Sequence, residues 1–157
     1  MPHHELLHER YLITDDRTRL DIDVIHHYLS RDSYWARGIP RATLANALNN
    51  SLCLGVYSAE GKQVGLARVI TDRATYAWLC DVFVLPDHQN RGLGKALMRA
   101  VTSHPDLQGL RRIALGTADA HGLYAQFGFT ALENPARHME KRNFHVYPGT
   151  DDGTAKR

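Results

Sequence analysis

Between residues 75 and 115 an apolar run, TYAWLCDVFVL, passes through Pro86 and a glycine-bearing stretch, HQNRGLGKAL, into a helical pattern; a second apolar run, LRRIALGT, follows. Leu93, Ala96, Leu97, Ala100 and Val101 recur at i, i+3, i+4, i+7 and i+8, the spacing of one apolar helix face, and the pattern ends before Pro105. A strand–helix–strand unit from Trp78 to Leu115 requires a parallel crossover, and such crossovers are right-handed. Upstream, SLCLGVYS and QVGLARVIT are joined to each other and to TYAWLCDVFVL by short turns at Glu60–Gly61 and Asp72–Arg73. Short turns favour an antiparallel meander. The expected fold is therefore α/β with a mixed sheet: antiparallel N-terminal strands, then a parallel β-α-β crossover, with helices on both faces.

The remaining elements are placed around that unit. RYLIT, residues 10–14, reads as a first short strand. Asp21 is a suitable N-cap for a helix reaching about Leu29, with Ile22, Ile25 and Leu29 on one face. Pro40 suits the first turn of a second helix ending near Asn49–Asn50. TYAWLCDVFVL is apolar on both faces, which places it centrally in the sheet. ADAHGLYAQF opens a helix at Asp119 that closes at Gly128. Phe129 to Leu132 and His138 to Lys141 are further strand candidates. The tail PGTDDGTAKR is biased toward disorder, so residues 1–147 are read as one domain and 148–157 as a flexible tail.

Composition excludes several classes. A chain of 157 residues is long enough for one domain with a real core. No apolar run approaches the ~20 residues that cross a bilayer, and MPHHELLHER lacks the zoning of a signal peptide. A cytoplasmic address and no membrane partner follow by default. The net charge of +2 comes with no clustered basic face, which argues against nucleic acid. Cys53 and Cys80 lie within strand-like runs without zinc spacing and read as buried, reduced thiols. His3, His4 and His8 are read as belonging to a flexible terminus, and no metal is expected.

A strand that enters a helix through glycines presents free backbone N–H groups at the positive end of a helix dipole, a site for phosphate. Gly92 and Gly94 would let the backbone approach a ligand, and Arg91 and Lys95 add charge. Only Leu93 separates the two glycines, which excludes a Walker A loop, and Leu97 stands where a dinucleotide fingerprint needs a third glycine. On local grounds a strand–helix turn without a ligand stays equally open.

The stretch Gln89-Asn90-Arg91-Gly92-Leu93-Gly94 resembles the central motif of the GCN5-related N-acetyltransferases, Gln/Arg-x-x-Gly-x-Gly/Ala. The block ADAHGLYAQFGF resembles that family's downstream segment, with Ala120, Leu123, Tyr124, Gly128 and Phe129 in register. Both blocks occur in order, with LRRIALGT between them, and the resemblance runs from about Val64 to Phe129. It implies acetyl-CoA as cofactor, its pyrophosphate on the N–H groups of Gln89, Asn90, Arg91, Gly92, Leu93, Gly94 and Lys95, and its pantetheine along Val82, Phe83 and Val84. It further implies Tyr124 as the acid that protonates the departing thiolate, since a phenol near pKa 10 matches a thiolate's basicity. Thr117 stands where the family often has an asparagine reaching toward CoA. Ala77-Trp78 replaces the strand glutamate of many protein-acetylating relatives, which argues against a histone-like mechanism.

The acceptor implied is a primary amine on a small molecule, approached by direct transfer in a ternary complex. Tyr34 and Trp35, in the loop SYWARGIP, are the aromatic candidates for the acceptor pocket, with Arg37 as an anchor for an acidic group. Trp35 equally serves to pin the loop to the core. A general base is expected for the amine, and Asp81 and His121 are its candidates. Asp81 equally serves for contact with the acceptor or for hydrogen bonding at the core edge, and His121 reads otherwise as a helix-surface histidine. The alternatives are a non-catalytic acyl-CoA-binding sensor on the same fold, an acetyltransferase for a protein or peptide amine, and a phosphate-binding module for ordinary nucleotides. A homodimer is left open.

Overall fold

The structure, a computed structural model, describes residues 2–147. The expected tail at 148–157 lies outside the described residues. Six strands form one sheet in chain order: β1 (Glu5–His8), β2 (Tyr11–Thr14), β3 (Leu52–Tyr57), β4 (Gln63–Thr71), β5 (Tyr76–Val84) and β6 (Arg112–Leu115). β1 through β5 pair antiparallel, and β6 joins β5 in parallel after the crossover helix α3 (Leu93–Thr102). This is the expected mixed sheet.

Helices cover both faces. Leu93, Ala96, Leu97, Ala100 and Val101 of α3 are all buried against Ile13, Leu54, Val69 and Leu79. The other face holds α1 (Ile22–His27), continued by a π-helical turn at Tyr28–Asp32, and α2 (Arg41–Asn49). Ile25, Leu29, Leu44 and Leu48 there cover Cys53, Leu66 and Phe83. Asp21 caps α1 by accepting from the N–H groups of Asp23 and Val24. Pro40 sits at the N-cap of α2, one position earlier than expected.

Four expectations are corrected. The N-terminus is not flexible: β1 pairs with β2, His4 Nε2 lies 3.0 Å from the Ala100 carbonyl, and His8 Nε2 lies 2.7 Å from the Arg91 carbonyl. Among the described residues no histidine, cysteine or acidic group clusters as a metal site. β5 is fifth of six strands, and its two faces differ, with Tyr76 41% and Trp78 37% exposed between buried Ala77 and Leu79. Beyond Gly128, neither Phe129 to Leu132 nor His138 to Lys141 is a strand; Pro135, which has no N–H for a ladder, opens a single 3-10 turn there. The last helix, α4 (His121–Ala125), starts two residues later than expected, and Gly128 takes the left-handed conformation, φ 88°.

Candidate active site

β5 pairs with β6 only from Tyr76 to Leu79, so beyond Leu79 its outer edge has no strand beside it. A break in the β4–β5 register between Leu66 and Arg68 coincides with Asp81, a non-glycine residue at φ 48°. The bulge turns the carboxylate of Asp81 into the α1–α2 face. It leaves Val82 and Val84 half-buried beside the α3 core while Phe83 is buried on the other face. Open strand edge and bulge both lie at the mouth of the gap between β5 and β6.

At the far end of that edge the chain turns into α3. Asn90 and Gly92 both adopt left-handed φ, 62° and 77°, which folds the turn back on itself. The Gln89 side chain donates to the Val84 carbonyl at 2.9 Å and so ties the turn to the end of β5. The first helical bond runs from the Ala96 N–H to the Gly92 carbonyl, leaving the N–H groups of Leu93, Gly94 and Lys95 at the helix start without intrahelical acceptors. The side chain of Leu93 is in the core, so this residue has only its backbone to offer; Asn90, Arg91 and Lys95 are exposed. Gly94 has an ordinary φ, and a Cβ there would meet only Leu123 Cδ2 at 3.7 Å. The fold's own packing does not require glycine at 94.

Tyr124, on α4, is 9% exposed, and its ring meets Phe129 edge to face at 5.9 Å. Its hydroxyl forms no hydrogen bond with a described residue. Burial first, then the neighbouring Tyr34 phenol and Asp119 carboxylate, raises the Tyr124 phenol above its usual pKa, so it keeps its proton at neutral pH. The Thr117 hydroxyl oxygen accepts from the Ala120 N–H at 3.1 Å, at the entry to α4. His121 opens that helix in an exposed position.

The loop between α1 and α2 closes the site from the other side. Trp35 Nε1 donates to Asp81 Oδ1 at 2.7 Å, and Arg68 Nε donates to Asp81 Oδ2 at 2.6 Å. Arg68 also donates to Ser51 Oγ at 3.0 Å. With both oxygens engaged and 6% of its side chain exposed, Asp81 is a structural anchor here and not a free base. Trp35 pins its loop, as one reading held, yet remains 41% exposed. The Tyr34 hydroxyl accepts from the Ala118 N–H at 3.1 Å, bridging this loop to the β6–α4 connection. Tyr28 stacks on Phe83 at 4.1 Å.

Sequence reasoning missed Arg68 and Tyr28. Arg68 had a signal, a lone charge inside the apolar run QVGLARVIT, whereas Tyr28 had none. The thiols offer no nucleophile, because burial pushes Cys53 up to about 11 and Cys80 up to about 12. A cavity of about 460 Å³ between the β3–β4 turn and the start of α1, lined by Ser58, Lys62 and His88, does not include Tyr124.

The strand gap beside β5, the helix start with free N–H groups and the buried tyrosine lie within the part of the chain whose likeness to known proteins is that of an acyltransferase. Residues 22–129 match the acetyltransferase (GNAT) family, and the chain belongs to that family. A Gibberella zeae protein named as an acetyltransferase is 35% identical over 137 residues, covering 74% of this chain and 76% of that one. A crystal structure of a GNAT-family protein from Xanthomonas campestris pv. campestris superposes with a TM-score of 0.86 at 50% identity, covering 91% of this chain and 99% of that one. A Mycobacterium tuberculosis protein solved in complex with CoA shares the fold, with a TM-score of 0.62 at 23% identity, covering 77% of this chain and 72% of that one. Among the described residues no helix is long and apolar enough to cross a membrane.

Proposed function

We propose that this protein transfers the acetyl group of acetyl-CoA to the amine of a small molecule, directly within a ternary complex. The observation that carries the reading is the unpartnered edge of β5, which runs from the helix start at Gly92 toward the acceptor loop. Acetyl-CoA supplies an activated thioester, and the residues present fit it. Free N–H groups at 93–95, with exposed Arg91 and Lys95, suit a pyrophosphate, and the absent side chain at Gly94 leaves room for it. The backbone edge of Val82, Phe83 and Val84 suits the amides of the pantetheine arm.

Tyr124 holds a proton at Oη for the sulfur as the C–S bond breaks; the N–C bond forms, and the proton of the acceptor nitrogen passes to water. No acyl-enzyme is needed. The bridge from Tyr34 to Ala118 narrows the acceptor side, which supports a small amine over an extended peptide. The reading also places the protein in the cytoplasm, where acetyl-CoA is available to it.

A thiol-release assay with acetyl-CoA and a panel of amino acids, polyamines, aminoglycosides and peptides tests the reading. Tyr124→Phe is expected to lower kcat about 10²-fold with acetyl-CoA affinity unchanged. Tight acetyl-CoA binding with no turnover on any amine would sink the transfer reading and leave an acyl-CoA-binding sensor. Equal thermal protection by ATP would point to an ordinary nucleotide module instead.

A further inference from the structure

Tyr34 and Trp35 are 40% and 41% exposed, yet the polar end of each is already engaged, Tyr34 by Ala118 and Trp35 by Asp81. An indole has one donor and no acceptor, so what Trp35 still offers a ligand is its π face. The two rings meet edge to face at 5.0 Å, and Tyr28 tilts against Trp35 at 6.4 Å. Aromatic rings held in place and partly open to solvent attract cations through their quadrupoles.

Two exposed carboxylates share this mouth. Asp32 lies two residues before Tyr34, and Asp119 follows the Ala118 that Tyr34 holds. Burial first, then the charges of Asp32 and Asp119, raises the Tyr28 phenol, and Asp119 acts in the same sense on Tyr124 after burial and Tyr34. Neither forms an ion pair or hydrogen bond with a described residue. Tyr124, more than nine-tenths buried and with its hydroxyl in no hydrogen bond with a described residue, has Tyr34 and Asp119 as its electrostatic neighbours.

The geometry points to an acceptor amine that carries a second, positively charged group, seated between the Tyr34 and Trp35 faces and the carboxylates of Asp32 and Asp119. The attacking nitrogen must be neutral to form the N–C bond, so the cation held here is not the reacting one. This inference rests on the acetyl-transfer reading for its chemistry but not for its binding site. Arg37, exposed two residues beyond Trp35, and Arg31, exposed directly before Asp32, are groups that would favour an anionic acceptor.

The test uses acceptors matched in length: 1,4-diaminobutane, 4-amino-1-butanol and 4-aminobutyrate. The diamine is expected to exceed the amino alcohol in kcat/KM by about tenfold, and the amino acid to be poorest. In a double variant, Asp32→Asn with Asp119→Asn, that order should flatten while acetyl-CoA affinity is kept. Independently of turnover, tetramethylammonium should quench Trp35 emission in a Trp78→Phe background, where sodium chloride at equal ionic strength does not. Amines used without regard to charge, or 4-aminobutyrate used best, would overturn the inference and leave acetyl transfer standing. Quenching without turnover on any amine would keep the cation site and remove acetyl transfer; no quenching overturns the site.

Discussion

The two sides of the candidate site are held by different kinds of contact. On the α3 side the geometry is made chiefly by backbone, with the Gln89 and His8 side chains bonding to backbone carbonyls: an open strand edge, two left-handed residues at 90 and 92, and a helix start within about ten residues of one another. On the α1–α2 side it is made by side chains meeting across the chain, Trp35 to Asp81 over 46 residues and Tyr34 to Ala118 over 84. A backbone device depends on conformation and tolerates most side chains; a side-chain clasp depends on particular atoms. The cofactor side should therefore break through glycines, and the acceptor side through single polar atoms.

The largest effect is expected on the acceptor side. Asp81→Ala removes the partner of Arg68, whose side chain is 14% exposed, and frees Trp35 as well. Stranding one member of such a pair costs about 3 kcal/mol or more, read as a shift in the urea midpoint. Asp81→Asn should cost less, since asparagine tolerates φ 48° and can still accept from Trp35. In both variants the acceptor KM should rise while acetyl-CoA affinity holds, if the Trp35 loop belongs to the acceptor alone. A parallel loss of acetyl-CoA binding would break the division.

Smaller effects should separate the two glycines of the turn. Gly92→Ala must place a Cβ at φ 77°, 3.3 Å from His8 Nε2, at a cost of about 1–2 kcal/mol in stability. Gly94→Ala carries no such strain and gains helix propensity worth up to about 1 kcal/mol. Its acetyl-CoA affinity should nonetheless fall about tenfold, ~1.4 kcal/mol by titration calorimetry. A stable Gly94→Ala that binds acetyl-CoA as wild type would remove this helix start as the phosphate seat.

The same division explains what could be read in advance. Helix α3 was legible because its apolar period repeats within ten residues, and the antiparallel meander because its turns are short. Tyr124 was legible through a motif in register. β1 was not, because ELLH is four residues long, polar at both ends without alternation, and gains its order from pairing with β2 and from histidine contacts to α3. Asp81 and Arg68 sit apart in sequence, and neither strand announces that a bulge turns the one toward the other. The missing strands after Gly128 show the converse: the short stretches on either side of Pro135 do not form strands, although β6 leaves an outer edge open to them.

The smallest effect concerns a hydrogen-bonded pair on the α3 side, which sharpens the contrast with Asp81. His104 Nδ1 accepts from the Asp106 N–H at 3.1 Å, so Nε2 is the donor to Asp15 Oδ2 at 2.8 Å. Asp15 Oδ1 accepts from the His4 N–H at 3.0 Å, and the group ties the end of β2 to the end of α3. Burial pushes the Asp15 carboxyl up, but the hydrogen bonds from His104 and from the His4 N–H outweigh it and hold the carboxyl below its usual value. A lowered carboxyl contributes stability that is present above the unfolded value near 3.9 and is lost as pH falls through the folded one. Acid titration of unfolding should therefore show wild type losing stability below about pH 4 more steeply than Asp15→Asn. Acetyl-CoA binding at pH 7 should be the same in both, because this pair braces α3 at the end opposite its free N–H groups; a change there would mean that side-chain clasps also set the cofactor side.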